Sequence, residues 1–142
     1  NYQLSVLSRG YGRITKGFKW VKSDNSPLQV GDEPLQYANL FPELNIAVCE
    51  TRVGGIKQIE KEKKCDIVLL DDAFQHRYVK PGFNILITDY SDLFYNDQLL
   101  PVGRLREPKS GVTRADVVIV SKSPEKIVVK PCHESFLMLF RC

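Results

Sequence analysis

The feature that most constrains this chain is a series of five short apolar segments rich in valine, isoleucine and leucine. They occupy residues 4–8, 45–49, 66–70, 84–88 and 116–121. Most lack strict alternation of apolar and polar residues, and such runs are typical of parallel strands buried on both faces. Helical patterns lie between them at residues 33–41 and 55–64. This alternation predicts an α/β fold with a mostly parallel sheet.

Chain length and composition limit the number of domains and the kinds of partner. The 142 residues, 43% of them hydrophobic, supply apolar side chains for one core and hardly for two, so we expect one domain or part of one. A net charge of +3 is too small to indicate a nucleic-acid partner, and none is expected. No apolar run approaches the roughly 20 residues of a membrane span, so membrane contact is expected to be peripheral or to involve another segment.

The cysteines give no sign of a zinc site or a disulfide framework. They show no C-x-x-C spacing, so we expect reduced thiols and a cytoplasmic location. The four are Cys49, Cys65, Cys132 and Cys142.

Two irregular stretches interrupt the alternation of strands and helices. Residues 9–27 are glycine-rich and basic, and residues 90–113 contain two prolines and two glycines. Both follow predicted strands, and ligands of open α/β sheets bind at the carboxyl ends of strands, so both are expected to be functional. The apolar patch at residues 136–140 fits either an edge strand or a truncated element.

The sharpest local signal is a predicted strand that ends in two carboxylates. Residues 66–72 read Asp-Ile-Val-Leu-Leu-Asp-Asp, so Asp71 and Asp72 follow four apolar residues. This is the form of a Walker B segment, in which one or two carboxylates hold the Mg²⁺ of a nucleotide. The alternative is a strand followed by helix-capping acids. His76, just beyond, is either a donor to a phosphate or carboxylate or a structural histidine.

Asp32 lies in Gly-Asp-Glu-Pro, a pattern that predicts the start of a helix. Capping is one role for this carboxylate. The other is general base, because a kinase needs a group that accepts the proton of the substrate hydroxyl.

Arginines on both irregular stretches are candidates for phosphate contacts. Arg9 and Arg13 belong to SRGYGR at residues 8–13, which is not the phosphate-binding pattern G-x-x-x-x-G-K-[ST]. For the basic and aromatic residues 16–22, a twisted hairpin with a solvated face is favoured over a lipid or nucleic-acid surface. Arg106 lies in the second stretch, where an arginine can stabilise a transferring phosphoryl group. Ser121-Lys122 ends the last predicted strand, where nucleotide-binding folds often contact the base.

Five ordered blocks together resemble the tetraacyldisaccharide 4'-kinase family, the lipid A kinases of Gram-negative bacteria. The blocks are SRGYGR at 8–13, VGDEP at 30–34, DDAFQHR at 71–77, LPVGRLREP at 100–108 and RADVVIVSK at 114–122. The resemblance covers residues 4–122 and leaves 123–142 as an unassigned tail. It implies a P-loop fold with a second lobe, and transfer of the γ-phosphate of ATP to the 4' hydroxyl of a lipid A disaccharide precursor at the inner membrane.

The same resemblance implies roles for individual residues. Asp32 matches the acid that assists deprotonation of the sugar hydroxyl, and Asp71 and Asp72 match the Walker B acids near Mg²⁺. The remaining matches line the active site or lie near substrate or phosphate. They are Arg9, Arg13, Arg52, His76, Arg106 and Glu107.

The chain also departs from the family pattern. It contains no G-x-x-x-x-G-K-[ST] segment, and Ala73 stands where the family usually has glycine. We therefore expect an incomplete kinase core, with the first strand, the P-loop and the second lobe missing, that is inactive alone. The alternatives are a non-catalytic α/β module that binds phosphate or nucleotide, and an unstable remnant with exposed apolar sheet surface. A receiver-like module fits poorly, because receivers place the acid pair after the first strand.

Overall fold

The computed structural model describes residues 2–124 and the strand at residues 137–139. The chain divides into two compact units, Asn1–Val79 and Lys80–Cys142. Cys49 and Cys65 are free thiols, whereas Cys132 and Cys142 lie outside the described residues. None of the helices in the described ranges is long and apolar enough to cross a bilayer.

The first unit is a four-stranded sheet with helices. Its elements are β1 (Leu4–Ser8), β2 (Lys19–Trp20), α1 (Pro27–Val30), α2 (Asp32–Leu40), β3 (Asn45–Val48), α3 (Arg52–Glu62) and β4 (Ile67–Leu70). The strand order is β2-β3-β1-β4. β1 runs parallel to β3 and β4, and β2 runs antiparallel to β3. The three predicted strands in this unit are confirmed to within one residue.

The core of this unit lies between the sheet and α3. Leu7, Ala47 and Ile59 are fully buried, and Cys49 joins their cluster. The helix comes close to the sheet because Gly55 has no side chain: a Cβ there would lie 2.6 Å from Leu7 Cδ2. Strand alternation directs Ile46 and Val48 to the opposite face, and α2 packs against β3.

Helix α2 begins differently from the sequence prediction. Its N-cap is Gly31, with φ of 92°, and Asp32 is the first helical residue. The prediction that Asp32 caps the helix is therefore wrong. A Cβ on Gly31 would lie 3.1 Å from the Gly10 backbone. Both the positive φ and the lack of space therefore favour glycine at this position.

The basic and aromatic segment also differs from the prediction. The prediction of a twisted hairpin is wrong, because Lys19 and Trp20 pair with Val48 and Ala47 of β3. Trp20 also donates a 2.5 Å hydrogen bond from Nε1 to Glu62 Oε2, so its ring lies beside the end of α3.

In the described part of the second unit, three strands form one parallel sheet in the order β5-β6-β7. They are β5 (Ile85–Asp89), β6 (Val117–Ser121) and β7 (Leu137–Leu139). Between β5 and β6 lie two 3-10 helices, Phe94–Asn96 and Lys109–Arg114. Residues 137–139 of the apolar patch form β7, which among the described residues pairs with β6 alone, and residues 136 and 140 of the patch lie outside the described residues.

Candidate functional site

Three parallel strands of the first unit end together and supply the candidate site. β1 is followed by Arg9, β3 by the junction that leads to Arg52, and β4 by Asp71 and Asp72. Parallel strands deliver the residues after them to one edge of a sheet, which is where α/β proteins bind ligands.

The acid pair lies on a tight turn. The Asp71 N–H donates to the Leu7 carbonyl at 3.1 Å, which anchors the turn to β1. Asp72 has φ of 44°, a left-handed conformation that aspartate tolerates better than most residues, and its side chain is exposed. The His76 N–H donates to the Ala73 carbonyl at 2.8 Å, so the half-buried His76 lies on the next turn of chain.

The donor set suits a magnesium ion held jointly with a nucleotide. The described residues include no cluster of three or more His, Cys, Asp or Glu arranged to hold a metal by themselves. Mg²⁺ usually takes only one or two protein carboxylates and completes its shell with water and phosphate oxygens. Two adjacent aspartates after a buried strand therefore fit that ion.

Arg52 is the most unusual side chain at this edge. It is the first residue of α3 and is only 4% exposed, and its Nη2 donates to the Asp71 carbonyl at 2.5 Å. Its Nε and Nη1 are buried without a hydrogen-bond partner among the described residues. Burial of unpaired donors is costly, so these two groups are candidates to bind water or a ligand.

The charges around Arg52 show which residues lie near it. Burial lowers the pKa of Arg52 below its ordinary value, the carboxylates of Asp71 and Asp72 oppose that shift, and the nearby Arg9 adds to it. Arg9 itself is exposed. Three other predicted site residues, Arg9, Asp71 and Asp72, therefore lie within electrostatic range of Arg52.

Helix α2 contributes a tyrosine that the sequence reasoning missed. Burial raises the pKa of Tyr37, and the negative charges of Asp71 and Glu33 raise it further. Tyr37 lies one helical turn beyond Glu33, so its helical spacing was the available signal. Asp32, at the start of this helix, is exposed and forms no hydrogen bond or ion pair with the described residues.

Arg13 is engaged inside the protein. Its side chain is 3% exposed, and Nη2 donates to Glu50 Oε1 and to the Gly17 carbonyl, both at 2.7 Å. Its Nη1 is buried without a partner among the described residues. A contact between Arg13 and a phosphate stays a prediction. Glu50 was missed because nothing in the local sequence distinguishes it from a solvated carboxylate.

The second unit carries the other two predicted site residues. Arg106 is exposed, and Glu107 accepts hydrogen bonds of 2.7 and 2.9 Å from Arg114 Nη2. At the ends of β5 and β6, Lys122 Nζ lies 2.6 Å from Asp89 Oδ2. The hydrogen bonds from Lys122 and Ser91 lower the pKa of Asp89 to about 2.

Comparison with known proteins agrees with this fold. The LpxK protein of Aquifex aeolicus, solved in complex with ATP, is 35% identical with a TM-score of 0.76, over 84% of this chain and 38% of that one. The fold is therefore the mostly parallel α/β fold of a P-loop kinase. The family model described as tetraacyldisaccharide-1-P 4'-kinase matches residues 1–138, and the chain belongs to that family.

Curated relatives give the same family and show how much of them the chain spans. The tetraacyldisaccharide 4'-kinase of Bacteroides thetaiotaomicron is 51% identical over 89% of this chain and 34% of its own length. That of Flavobacterium psychrophilum is 48% identical over 89% of this chain and 37% of its own length. The chain thus spans about a third of the length of these relatives.

Proposed function

We propose that this chain supplies the acid pair, the general base and arginine contacts of a tetraacyldisaccharide 4'-kinase. The enzyme would transfer the γ-phosphate of ATP to the 4' hydroxyl of a tetraacyldisaccharide 1-phosphate in lipid A biosynthesis. The observation that carries the proposal is Arg52, a buried arginine with two unpartnered donors beside the Asp71–Asp72 turn. Membership of the kinase family supports a phosphate-bearing ligand as the partner of those donors.

The proposed reaction needs a base and charge compensation. The 4' oxygen bonds to the γ-phosphorus, the bond from phosphorus to the bridging oxygen breaks, and ADP leaves. Asp32 is proposed to take the hydroxyl proton, and its exposed carboxylate, free of partners in the described residues, is available for that task. Arg52 and Arg9 are proposed to stabilise negative charge on the phosphates.

Asp71 and Asp72 are the residues that would hold Mg²⁺. The ion, when bound, would neutralise phosphate charge. His76 is proposed to support this acid pair from the following turn. The catalytic roles of Arg106 and Glu107 rest on the family resemblance alone.

Two further parts of the proposal concern surroundings. The lipid substrate implies peripheral contact with the inner membrane on its cytoplasmic side. The phosphate cradle of a P-loop kinase is not among these 142 residues, which contain no G-x-x-x-x-G-K-[ST] segment. Sequencing the gene upstream of this chain in the same frame tests whether such a segment accompanies it.

A chimera provides the direct test of function. This chain replaces the matching segment of the Bacteroides thetaiotaomicron relative, and transfer of labelled γ-phosphate from ATP to tetraacyldisaccharide 1-phosphate is measured. We expect transfer by the chimera and a loss of at least about 100-fold in Asp32→Asn, because that change removes the base. Asp24→Asn, at another exposed aspartate of the same unit, is the matched control and should be neutral.

A second candidate is a non-catalytic module that binds phosphate or nucleotide. The same unpartnered donors of Arg52 favour it, since binding needs no base. A folded chimera that binds ATP without transferring phosphate would select this candidate and contradict the kinase proposal. Equal activity of Asp32→Asn and Asp24→Asn would contradict the role of Asp32.

A further inference from the structure

Glu50 joins two of the loops that form the site. We propose that it is a positioning residue, which acts through Arg13 and Gly17 to hold the loop that carries Arg9. The inference deepens the proposed function and rests on it.

The contacts of Glu50 close a ring across the loop. Its Oε1 accepts a hydrogen bond of 2.7 Å from Arg13 Nη2, and the Gly17 N–H lies 3.0 Å from Oε2 and 3.1 Å from Oε1. Arg13 Nη2 also donates to the Gly17 carbonyl at 2.7 Å. One carboxylate therefore fixes a side chain and a peptide group that lie four residues apart in the loop.

The ring is built around a buried charge. The Arg13 side chain is 3% exposed and that of Glu50 is 41% exposed, so the arginine depends on the glutamate more than the reverse. Partial burial opposes ionisation of Glu50, but backbone N–H groups and the Arg13 guanidinium outweigh it and hold its pKa below the ordinary value. Glu50 is consequently a carboxylate at neutral pH. Loss of that charge would leave the buried guanidinium without its counter-ion.

The position of Glu50 connects this ring with the acid pair. It lies between β3 and α3, and only Thr51 separates it from Arg52. Arg52 binds the Asp71 carbonyl after β4, while Glu50 binds the loop after β1. The same short junction therefore holds the segments that follow β1 and β4. Arg9, within electrostatic range of Arg52, starts the loop that Glu50 closes.

A double-mutant cycle in the chimera tests this role. We expect Glu50→Ala and Arg13→Ala each to lower kcat/KM by about tenfold or more, because small displacements of a phosphate-binding group cost that much. The double variant should be no worse than the poorer single variant, since both break one ring. Glu60→Ala, on the exposed side of α3, is the matched control. Additive losses, or a Glu50→Ala variant that behaves like the control, contradict the inference.

Glu50→Gln keeps the test informative if the alanine variant does not fold. Its amide oxygen still accepts a hydrogen bond, so we expect folding with a lower melting temperature at neutral pH, an increased KM for at least one phosphate-bearing substrate and a smaller change in kcat. A changed melting temperature with unchanged kinetic constants indicates a purely structural role and overturns the inference.

Hydrogen exchange gives a readout that does not depend on activity. The peptide covering residues 9–18 should exchange faster in Glu50→Gln than in the parent, and Glu60→Gln should leave it unchanged. If the folded parent chimera lacks transferase activity, the proposed function fails, and unchanged exchange in Glu50→Gln is then the separate result that overturns the ring. Faster exchange in Glu50→Gln with unchanged kinetic constants would confirm the ring but contradict the positioning role of Glu50.

Discussion

At the scale of single residues, the candidate site contains two arginines with different surroundings. Arg13 is paired with Glu50 and buried, whereas Arg52 is equally buried but has only the Asp71 carbonyl as a hydrogen-bond partner among the described residues. The sequence brought both forward through a family resemblance and gave no means of telling them apart. Their difference depends on which side chains lie across the sheet edge, and local sequence does not carry that information.

The shape of Arg52 should matter as well as its charge. Arg52→Lys keeps the cation but removes the fork of donors, so we expect kcat/KM of the chimera to fall about 10- to 100-fold. Lys57→Arg makes the reverse exchange at an exposed position of the same helix and should have no effect. Phosphotransfer kinetics with both substrates varied would measure the fall in kcat/KM. A fully active Arg52→Lys variant would show that the unpartnered donors of Arg52 do not contribute to the reaction.

The low pKa of Glu50 predicts how its contribution to stability changes with pH. A carboxyl whose pKa is lower in the folded protein stabilises the fold above the unfolded pKa, about 4.3, and this contribution is lost as the pH falls through the folded pKa. Any difference in melting temperature between the parent chimera and Glu50→Gln that comes from the charge should therefore be constant above about pH 5.5 and shrink in acid. A difference between the parent and Glu50→Gln that grows in acid would contradict the assignment.

At the scale of elements, the long apolar strands were predictable, whereas the start of α3 and the short strand β2 were not. Continuous apolar runs bounded by loops located β1, β3 and β4, since buried strands have few other sequence patterns. Helix α3, by contrast, starts at Arg52, before the predicted start at residue 55. Gly54 and Gly55 are poor helix formers, so the sequence pattern did not indicate the first turn of α3. The close packing of Gly55 on Leu7 explains why glycine is there.

The start of α2 gives a prediction at this scale. Gly31→Ala would place a methyl group 3.1 Å from the Gly10 backbone in addition to the cost of a positive φ. Gly12→Ala has a similar φ, 77°, but no atom within 4 Å of its Cβ, so it isolates the conformational cost. We expect Gly31→Ala to destabilise the fold by about 1–3 kcal/mol more than Gly12→Ala, as overpacking does. Thermal unfolding of the two chimeras measures the difference, and equal melting temperatures would contradict the close approach.

At the scale of the whole molecule, the sequence predicted an α/β kinase core, and the fold and the family are confirmed. The sequence did not predict which distant segments pair with one another. β2 joins β3 instead of forming a hairpin, because pairing partners are chosen by the surface left open by the rest of the sheet. The roles of the predicted site residues stay predictions, to be tested by the variants described above.

Exposed apolar strand residues predict the behaviour of the isolated chain. Ile67 and Leu69 on β4 are 41% and 49% exposed, and β4 lies at the edge of its sheet. We expect the isolated chain to self-associate at micromolar concentration, because such edges and faces favour aggregation. Replacing both residues with threonine should reduce association, whereas Val53→Thr, at a similarly exposed position of α3, should not. Sedimentation velocity measures this, and a monodisperse parent would contradict it.

The contact between Gly10 and Gly31 has a consequence for how this protein can vary. The backbones of Gly10 and Gly31 pack closely against each other, so both ends of the segment 11–30 are fixed in position. Within this segment, the exposed turn at Asp24 is expected to tolerate changes in composition and inserted residues. A single residue added beside either glycine would instead displace the first turn of α2. The number of residues next to Gly10 and Gly31 is therefore constrained by the position of α2.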